Sequence, residues 1–258
     1  MDRIKIIFFD IDGTLVDPAT RRISEKTKEA LRRLHEKGIL TCIATGRPTA
    51  SFPNLDGIHV DAFCAFNGSL CYTEKEIIYS SPISPEAVAA VLRNAAVLGR
   101  PVSVATKDRL VANGVDRDLS DYYRLANLIL TPSDDFDSAC REDVYQIMLG
   151  SRPEEHEAIT RGAEGVKIAV SWDRAVDVIP AGGGKGVSIL KILEYFDLDA
   201  SRAMAFGDSY NDLEMLQAVG VGVAMGNAPA QLKEVANRVC GHVSQDGIYH
   251  FCQEQGLI

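Results

Sequence analysis

The stretch IIFFDIDGTLVD, residues 6–17, runs four apolar residues directly into two carboxylates, Asp10 and Asp12. Two β-branched and two aromatic residues in a row are typical of a strand that is buried on both faces of a sheet. A carboxylate at the end of such a strand is costly unless it is paired with another group or bound to a metal ion. The stretch therefore predicts a central β-strand whose end carries a polar site.

Apolar runs alternate with amphipathic segments along most of the chain. Residues 24–38 predict a helix, because Ser24 is a good N-cap and Gly38 can end the helix. The other predicted elements of this alternating part are strands at Ile4–Phe9, Ile39–Ala44, Ala62–Phe66 and Ala203–Phe206, and helices at Lys185–Leu198 and from about Asn211. This alternation predicts an α/β fold with a doubly wound, Rossmann-like parallel sheet.

The middle of the chain, residues 82–184, follows a different pattern. Helices are predicted at Ser84–Gly99 and Arg152–Ala163, and strands at Val102–Thr106, Val144–Leu149, Val166–Ser171 and Ala175–Ile179. Two helices with four strands are enough for a small α+β domain. We therefore expect a core domain of residues 1–81 plus 185–258, interrupted by a cap domain of residues 82–184. Connections rich in Gly, Ser and Pro, at 81–84 and 181–184, predict hinges between the two.

The composition narrows the class of protein. The 258 residues include 36 acids and 27 bases, for a net charge of −9, without a dense block of Lys and Arg. This argues against nucleic acid or an anionic membrane as the main partner. Six scattered cysteines without a C-x-x-C pair favour reduced thiols over disulfides or a zinc site. Because a core strand begins almost at once and no apolar run reaches about 18 residues, we expect a cytoplasmic protein. We also expect it to be a monomer or a weak dimer.

Polar residues follow the ends of the predicted parallel strands, which meet at one edge of such a sheet. They are Asp10, Asp12, Thr45, Gly46, Arg47, Lys185, Asp208, Asn211 and Asp212. Two carboxylates about 4 Å apart repel each other by roughly 4 kcal/mol at an effective dielectric constant of about 20, so three or four together require a cation. Oxygen ligands without His or Cys favour a hard ion, and the sequence predicts Mg²⁺ as the cofactor.

These residue types fit a phosphate ester as the substrate. A cation, a lysine, a threonine and the amides of helix N-termini all bind phosphate oxygens. Asp10 can then attack phosphorus as a nucleophile. Asp12, two residues further on, can act as general acid and then as general base, with Gly13 permitting the sharp turn that this requires.

Four motifs, in this order, resemble those of the haloacid dehalogenase (HAD) superfamily of phosphatases. They are DIDGT at residues 10–14, ATGR at 44–47, the isolated Lys185 before a helix, and GDSYND at 207–212. The insertion between the second and third motifs resembles the cap of the Cof-type branch, which is subfamily IIB with a C2 cap. The compact segment 49–58 departs from that branch, since it leaves little room for the helix that usually follows the second motif.

The resemblance implies a Mg²⁺-dependent phosphatase for small phosphorylated metabolites, with sugar phosphates as the first expectation. It implies that Asp10 forms an aspartyl-phosphate and that Asp12 protonates the leaving oxygen. The implied metal ligands are Asp10, the backbone carbonyl of Asp12, and Asp208. Asp212 would bind a metal-ligated water or support Lys185. The implied phosphate ligands are the Ile11 and Gly46 amides, Thr45, Lys185 and Asn211, with Arg47 as a candidate substrate contact.

Other functions stay open at this point. A phosphosugar mutase or phosphotransferase would hand the phosphoryl group to another acceptor instead of water. A receiver-like signalling protein also clusters acids, a threonine and a lysine around Mg²⁺, although an acid at Asp12 would discharge a lasting phosphoaspartate. A non-catalytic phosphate-binding protein is a third alternative. Arg47 can equally form a surface salt bridge, and Trp172 is more typical of packing than of a substrate lid.

Overall fold

The computed structural model describes residues 4–55, 57–126 and 128–258. The strands are β1 (Ile6–Phe9), β2 (Val16–Asp17), β3 (Arg22–Ile23), β4 (Leu40–Ala44), β5 (Ala62–Ala65), β6 (Leu70–Tyr72), β7 (Ile77–Ser80), β8 (Val102–Thr106), β9 (Leu110–Ala112), β10 (Val144–Gly150), β11 (Val166–Trp172), β12 (Ala175–Pro180), β13 (Ala203–Gly207), β14 (Val221–Ala224) and β15 (Arg238–Val239). The α-helices are α1 (Glu25–Glu36), α2 (Pro85–Val97), α3 (Arg117–Leu125), α4 (Phe136–Ala139), α5 (His156–Thr160), α6 (Lys185–Tyr195), α7 (Leu213–Ala218), α8 (Ala230–Val235) and α9 (Gly247–Glu254). None of the described helices is long and apolar enough to cross a membrane.

Strand β1 lies at the centre of an eight-stranded sheet. The strand order is β15-β14-β13-β1-β4-β5-β6-β7. In this order, the strands from β15 across to β5 are parallel. Strand β6 pairs antiparallel with β5, and β7 pairs antiparallel with β6. Ile6 and Phe8 pack on one face, Ile7 and Phe9 pack on the other, and all four are at most 1% exposed. The strand is therefore buried on both faces, and the predicted α/β architecture is confirmed.

Helices cover both faces of this sheet. Helix α1 is capped by Ser24, whose Oγ accepts a hydrogen bond from the Thr27 amide at 3.1 Å, and it buries Leu31 and Leu34 in the same apolar layer as α9. Helices α6, α7 and α8 pack on the opposite face. Because α6 begins at Lys185, its first turn lies at the edge where the parallel strands end.

A second sheet, with five antiparallel strands in the order β11-β12-β10-β8-β9, lies within residues 102–180. Helices α2 and α5 cover one of its faces, where Val91 packs with Val104. The other face turns towards the main sheet, and Met148 packs there with Phe66. The two sheets therefore enclose the space above the end of β1.

The middle region contains more elements than the sequence predicts. Four α-helices (α2 to α5) and five strands (β8 to β12) lie in its described part, where two helices and four strands are expected. The additional elements β9 and α4 have three and four residues, too few for a periodic pattern. Helix α3 is strongly amphipathic and buries Leu119 and Tyr123, so its pattern is a helix signal that the sequence prediction overlooks. The helix expected at 152–163 is a 3₁₀ turn, 153–155, followed by the short α5.

The structure also bears on three expectations for the main domain. The strand expected through Phe66 ends at Ala65, because Phe66 and Asn67 adopt positive φ angles of 54° and 52°. The helix expected from Asn211 begins as a 3₁₀ turn and continues as α7. The segment 49–58 forms a 3₁₀ turn at 49–51 and has no α-helix in its described part, and Asp56 lies outside the described residues.

Candidate active site

Lys185 lies between two carboxylates at the carboxyl edge of the main sheet. Its Nζ is 2.6 Å from Asp10 Oδ1 and 2.6 Å from Asp212 Oδ1. The lysine side chain is fully buried, and a buried charge requires such partners. Burial acts to lower the pKa of Lys185, but the two carboxylates outweigh burial and raise it. Lys185 is therefore a fixed positive charge beside Asp10.

Both carboxylate oxygens of Asp212 accept hydrogen bonds. Its Oδ1 accepts from Lys185, and its Oδ2 accepts from the backbone amides of Asp208 at 2.9 Å and Ser209 at 3.0 Å. The residue is completely buried. These contacts fit the expected support of Lys185, and they also fix the backbone that carries Asp208.

Asp208 follows β13 and is held by two polar side chains. Thr14 Oγ1 donates to Asp208 Oδ1 at 3.0 Å. Asn227 Nδ2 donates to Asp208 Oδ2 at 3.1 Å and to the Gly13 carbonyl at 2.8 Å. Burial, and then the neighbouring carboxylates, raise the pKa of Asp208 to about 8. Neither Thr14 nor Asn227 is predicted from the sequence, although Thr14 ends the first motif and Asn227 lies in a loop that follows a short apolar run.

The acids fit a hard cation. One oxygen each of Asp10, Asp208 and Asp212 lies within 4.8 Å of the other two. Burial raises the pKa of Asp10 to about 7, with Lys185 opposing this shift and the nearby acids adding to it. A divalent cation would relieve the repulsion among these groups, and an all-oxygen donor set favours Mg²⁺ over zinc or copper. The Asp12 carboxylate is outside this cluster. The predicted metal ligand of Asp12 is therefore its backbone carbonyl.

Arg47 pairs with Asp12 at the wall of the site. Its Nε donates to Asp12 Oδ2 at 2.7 Å and its Nη2 to Asp12 Oδ1 at 2.8 Å. Its Nη1 donates to the Ser51 carbonyl at 2.7 Å. The Asp12 side chain is 44% exposed, whereas that of Asp10 is 7% exposed. Arg47 thus forms a salt bridge, but a partly buried one in place of the surface salt bridge that is one interpretation of the sequence, and its partner is a predicted catalytic residue.

Thr45 and Gly46 follow β4, the strand next to β1. Thr45 is 1% exposed, and its Oγ1 accepts a hydrogen bond from the Arg47 amide at 3.1 Å. A Cβ on Gly46 would lie 3.0 Å from Asn67 Oδ1. Asn211 Nδ2 donates to the same Asn67 oxygen at 3.0 Å. Gly46 and Asn211, two of the predicted phosphate ligands, therefore lie next to Asn67, which is not among the residues predicted for the site.

A cavity of about 270 Å³ opens between the two sheets above these groups. On the main-sheet side it is lined by Asp10, Asp12, Thr45, Gly46, Arg47, Asp208 and Asn211. On the other side it is lined by residues of the middle region, among them Tyr122, Gln146, Trp172 and Asp177. Of these four, only Trp172 is singled out from the sequence, and there a packing role is favoured. Asp177, an acid inside the apolar strand AVDVIP, is a usable signal that sequence reasoning missed.

Replacement of Gly13 by Ala tests how closely Asp208 is positioned. Gly13 has a φ of +83°, and a Cβ there would lie 2.1 Å from Asp208 Oδ2. We expect Gly13→Ala to lower kcat/KM by about 100-fold, because displacement of a site group by about 1 Å has effects of that order. The measurement is steady-state hydrolysis of a chromogenic phosphate ester.

The matched control is Gly38→Ala. Gly38 has a similar φ of +71°, but a Cβ added there would meet nothing within 4 Å. Both variants should lose about 1–2 kcal/mol of stability from the left-handed backbone, as measured by urea unfolding. Only the Gly13 variant should lose activity. Equal activities in the two variants would contradict a need for Asp208 at its present place.

Comparison with known proteins places the chain among hydrolases. The sequence model of the family described as haloacid dehalogenase-like hydrolase matches residues 7–252. The putative phosphatase YkrA of Bacillus subtilis is 34% identical over 98% of this chain and 98% of that protein. The 5-amino-6-(5-phospho-D-ribitylamino)uracil phosphatase YitU of the same organism is 28% identical over 96% of each chain.

A solved structure agrees with these relatives. The HAD subclass IIB sugar phosphatase BT4131 matches with a TM-score of 0.90 and 31% identity, over 98% of this chain and 100% of that chain. The resemblance drawn from the four motifs is thereby confirmed. The chain therefore belongs to the haloacid dehalogenase-like hydrolase family, as an enzyme of its phosphatase branch.

Proposed function

We propose that the protein is a Mg²⁺-dependent phosphomonoesterase that works through an aspartyl-phosphate on Asp10. The observation that carries the proposal is the contact of Asp10 with the buried Lys185, next to Asp208 and below an open cavity. A buried lysine and clustered acids are a costly arrangement for a purely structural role. The same arrangement suits a substrate whose charge is as high as that of a phosphate ester.

In the first half-reaction, Asp10 attacks phosphorus. Its Oδ1 is bonded to Lys185, so we assign the attack to Oδ2. A bond forms between Oδ2 and phosphorus while the ester P–O bond breaks, and Asp12 gives its proton to the leaving alcohol oxygen. Asp12 is paired with Arg47 in the structure, so Arg47 must release Asp12 before Asp12 can hold that proton.

In the second half-reaction, Asp12 acts as a base. It takes a proton from water, the water oxygen bonds to phosphorus, and the bond between phosphorus and Asp10 breaks. Inorganic phosphate leaves and Asp10 is restored as a carboxylate. Lys185 compensates negative charge on Asp10 throughout, because both of its close partners are carboxylates.

The proposed phosphate and metal ligands follow from the same geometry. Thr45, Lys185 and Asn211, with the Ile11 and Gly46 amides, would bind the phosphate oxygens, since all belong to the carboxyl edge of the sheet or the turns that follow it. Asp10, the Asp12 carbonyl and Asp208 would hold Mg²⁺, and Asp212 would support Lys185. When bound, Mg²⁺ supplies positive charge that lowers the cost of bringing a phosphate dianion to these acids.

For the substrate we propose a small phosphorylated metabolite, with sugar phosphates first. The names of two relatives, a sugar phosphatase and a phosphoribitylaminouracil phosphatase, both describe phosphate esters of polyhydroxylated molecules. We further propose the division into a core of residues 1–81 plus 185–258 and a cap of residues 82–184, with hinges at 81–84 and 181–184. The cytoplasm remains our prediction for its location, and a monomer or weak dimer for its assembly.

Hydrolysis of p-nitrophenyl phosphate tests this function, followed by a panel of phosphorylated sugars and polyols. We expect turnover that requires Mg²⁺ and stops in EDTA. Released inorganic phosphate should equal released alcohol, because water is the acceptor. Phosphate that appears on an added sugar instead would favour a transferase, and a lack of turnover with every ester would overturn the proposal.

Removal of Mg²⁺ is expected to lower the stability of the protein. At a concentration of about 100 times its dissociation constant, Mg²⁺ should add about 2.7 kcal/mol to the free energy of unfolding, measured by urea denaturation with Mg²⁺ or with EDTA. Asp208→Asn should lose most of this gain, whereas Asp137→Asn, at an exposed acid of α4, should keep it. Equal gains in the two variants would contradict the proposed metal site.

A further inference from the structure

Asp177 is an acid buried in the wall of the cavity that faces Asp10. It lies on β12, opposite Met148 of β10, on the side of the second sheet that faces the main sheet. It is 2% exposed. None of the proposed catalytic steps uses it, and a buried carboxylate without a role would be costly.

Two side chains donate hydrogen bonds to Asp177, and the side chain of Gln146 lies beside it. Tyr122 Oη donates to Oδ1 at 2.9 Å, and Asn67 Nδ2 donates to Oδ2 at 2.9 Å. The side-chain amide of Gln146 lies close enough to Asp177 to lower the pKa of its carboxyl group. Burial raises the pKa of Asp177 to about 6, and Tyr122, Asn67 and Gln146 oppose this shift. Asp177 therefore orients Tyr122 and Asn67 through hydrogen bonds and lies beside the side-chain amide of Gln146.

The side-chain carbonyl oxygen of Gln146, Oε1, is a buried acceptor without a partner among the described residues. A carboxylate can only accept hydrogen bonds, so the NH₂ group of Gln146 is the part that faces Asp177. The Gln146 side chain is 1% exposed, and its Oε1 has no hydrogen-bond partner among the described residues. Gln146 lines the cavity. A buried carbonyl oxygen beside a ligand cavity is suited to accept a hydrogen bond from a ligand.

An aromatic surface lies beside this acceptor. Tyr122 stacks on Trp172 with ring centroids 6.1 Å apart and an angle of 7° between the planes. The guanidinium of Arg174 lies over the Trp172 ring, 4.1 Å from its centroid. Tyr122 and Trp172 both line the cavity. A flat apolar surface next to a hydrogen-bond acceptor suits the face of a sugar or a heterocycle that carries O–H or N–H groups.

We propose that Gln146 selects substrates whose alcohol part carries a hydroxyl or N–H donor, which binds to Gln146 Oε1. Asp177 is a positioning residue in this subsite, because it holds the NH₂ group of Gln146 and leaves the carbonyl for the substrate. Asp177 also reaches the phosphate side of the cavity, since its partner Asn67 accepts a hydrogen bond from Asn211. This inference rests on the proposed phosphatase function and adds the class of leaving group.

The test compares two substrates, a polyol phosphate such as erythritol 4-phosphate and the donor-free phenyl phosphate. Gln146→Met should lower kcat/KM for the polyol phosphate by about 10- to 100-fold, because a hydrogen bond in a buried site is lost. Its effect on phenyl phosphate should be less than about threefold on the same reasoning. Asp177→Asn should lower kcat/KM for both substrates, since Asp177 also holds Asn67 beside Asn211, but the loss should be larger for the polyol phosphate. In the double variant the difference between the two substrates should be little larger than in either single variant.

Several outcomes would overturn the inference. Equal losses for both substrates would mean that Gln146 has only a structural role, and unchanged values for both would mean that Oε1 faces a bound water instead of the substrate. If Gln146→Met does not fold, as judged by near-ultraviolet circular dichroism, Gln146→Asn provides the second variant, since its shorter side chain withdraws the carbonyl. Failure of the wild type to hydrolyse these two esters and every ester of the panel above would instead overturn the proposed function, and this inference with it.

Discussion

Asp10→Asn is expected to lower kcat for phosphate-ester hydrolysis by at least about 10⁴-fold, because an amide cannot form the aspartyl-phosphate. The variant should remain folded. Asn has the same shape as Asp, and its amide oxygen can still accept a hydrogen bond from Lys185. The substitution also removes one negative charge from a cluster in which the acids raise the pKa of one another. The measurement is kcat in saturating Mg²⁺, together with a urea unfolding curve.

The control for this variant is Asp137→Asn, the same chemical change at an exposed position. It should leave both kcat and stability close to those of the wild type. Activity of Asp10→Asn within tenfold of the wild type would contradict nucleophilic attack by Asp10. It would leave direct attack of water on the ester as the remaining route to hydrolysis.

Lys185→Met is expected to show the second large effect, on stability as well as on activity. Its removal leaves two buried carboxylates, Asp10 and Asp212, without their common cation. Removal of one partner from a buried ion pair costs about 3–5 kcal/mol, and loss of one positively charged phosphate contact lowers kcat by about 100- to 1,000-fold. The loss of stability should be smaller in saturating Mg²⁺ than in EDTA, because the metal compensates part of the exposed negative charge.

Lys191→Met is the matched control for this experiment. Lys191 lies on the same helix, α6, but its side chain is 44% exposed and pairs only with Glu194, at 3.0 Å, among the described residues. A surface pair of this kind contributes at most about 1 kcal/mol. If the two lysine variants unfold at the same urea concentration, the buried ion pairs of Lys185 do not stabilise the fold in the way that we infer.

The sequence predicts the main domain well, because its signals are local. The apolar run before Asp10 specifies a strand buried on both faces, and the strand ends of a parallel sheet meet at one edge. For this reason the amino-acid pattern alone is enough to bring Asp10, Thr45, Lys185 and Asp208 together. The four motifs indicate the family for the same reason, since each motif is a short segment at a strand end or a helix start.

The rest of the site depends on contacts that no local pattern encodes. Asn67 and Asp177 are 110 positions apart, and their hydrogen bond exists only because the second sheet lies over the end of the first. Asn67 has the sequence signature of a turn residue, and this is also its local conformation. In the middle region, α3 has a strongly amphipathic sequence and Asp116 as its N-cap, so this helix carries a local signal that the sequence prediction overlooks. The side of the cavity that faces Asp10 is therefore determined by how the second sheet packs over the first, and not by local propensity.

Nucleophilic catalysis by Asp10 is tested most directly by trapping the covalent intermediate. Wild-type protein is mixed with substrate in Mg²⁺, quenched in acid within milliseconds and treated with sodium borohydride, which reduces an aspartyl-phosphate to homoserine. Peptide mass spectrometry should then find homoserine at position 10, and none in Asp10→Asn. Homoserine at another aspartate, or unmodified Asp10 in an enzyme that is turning over under conditions in which the intermediate accumulates, would contradict catalysis through Asp10.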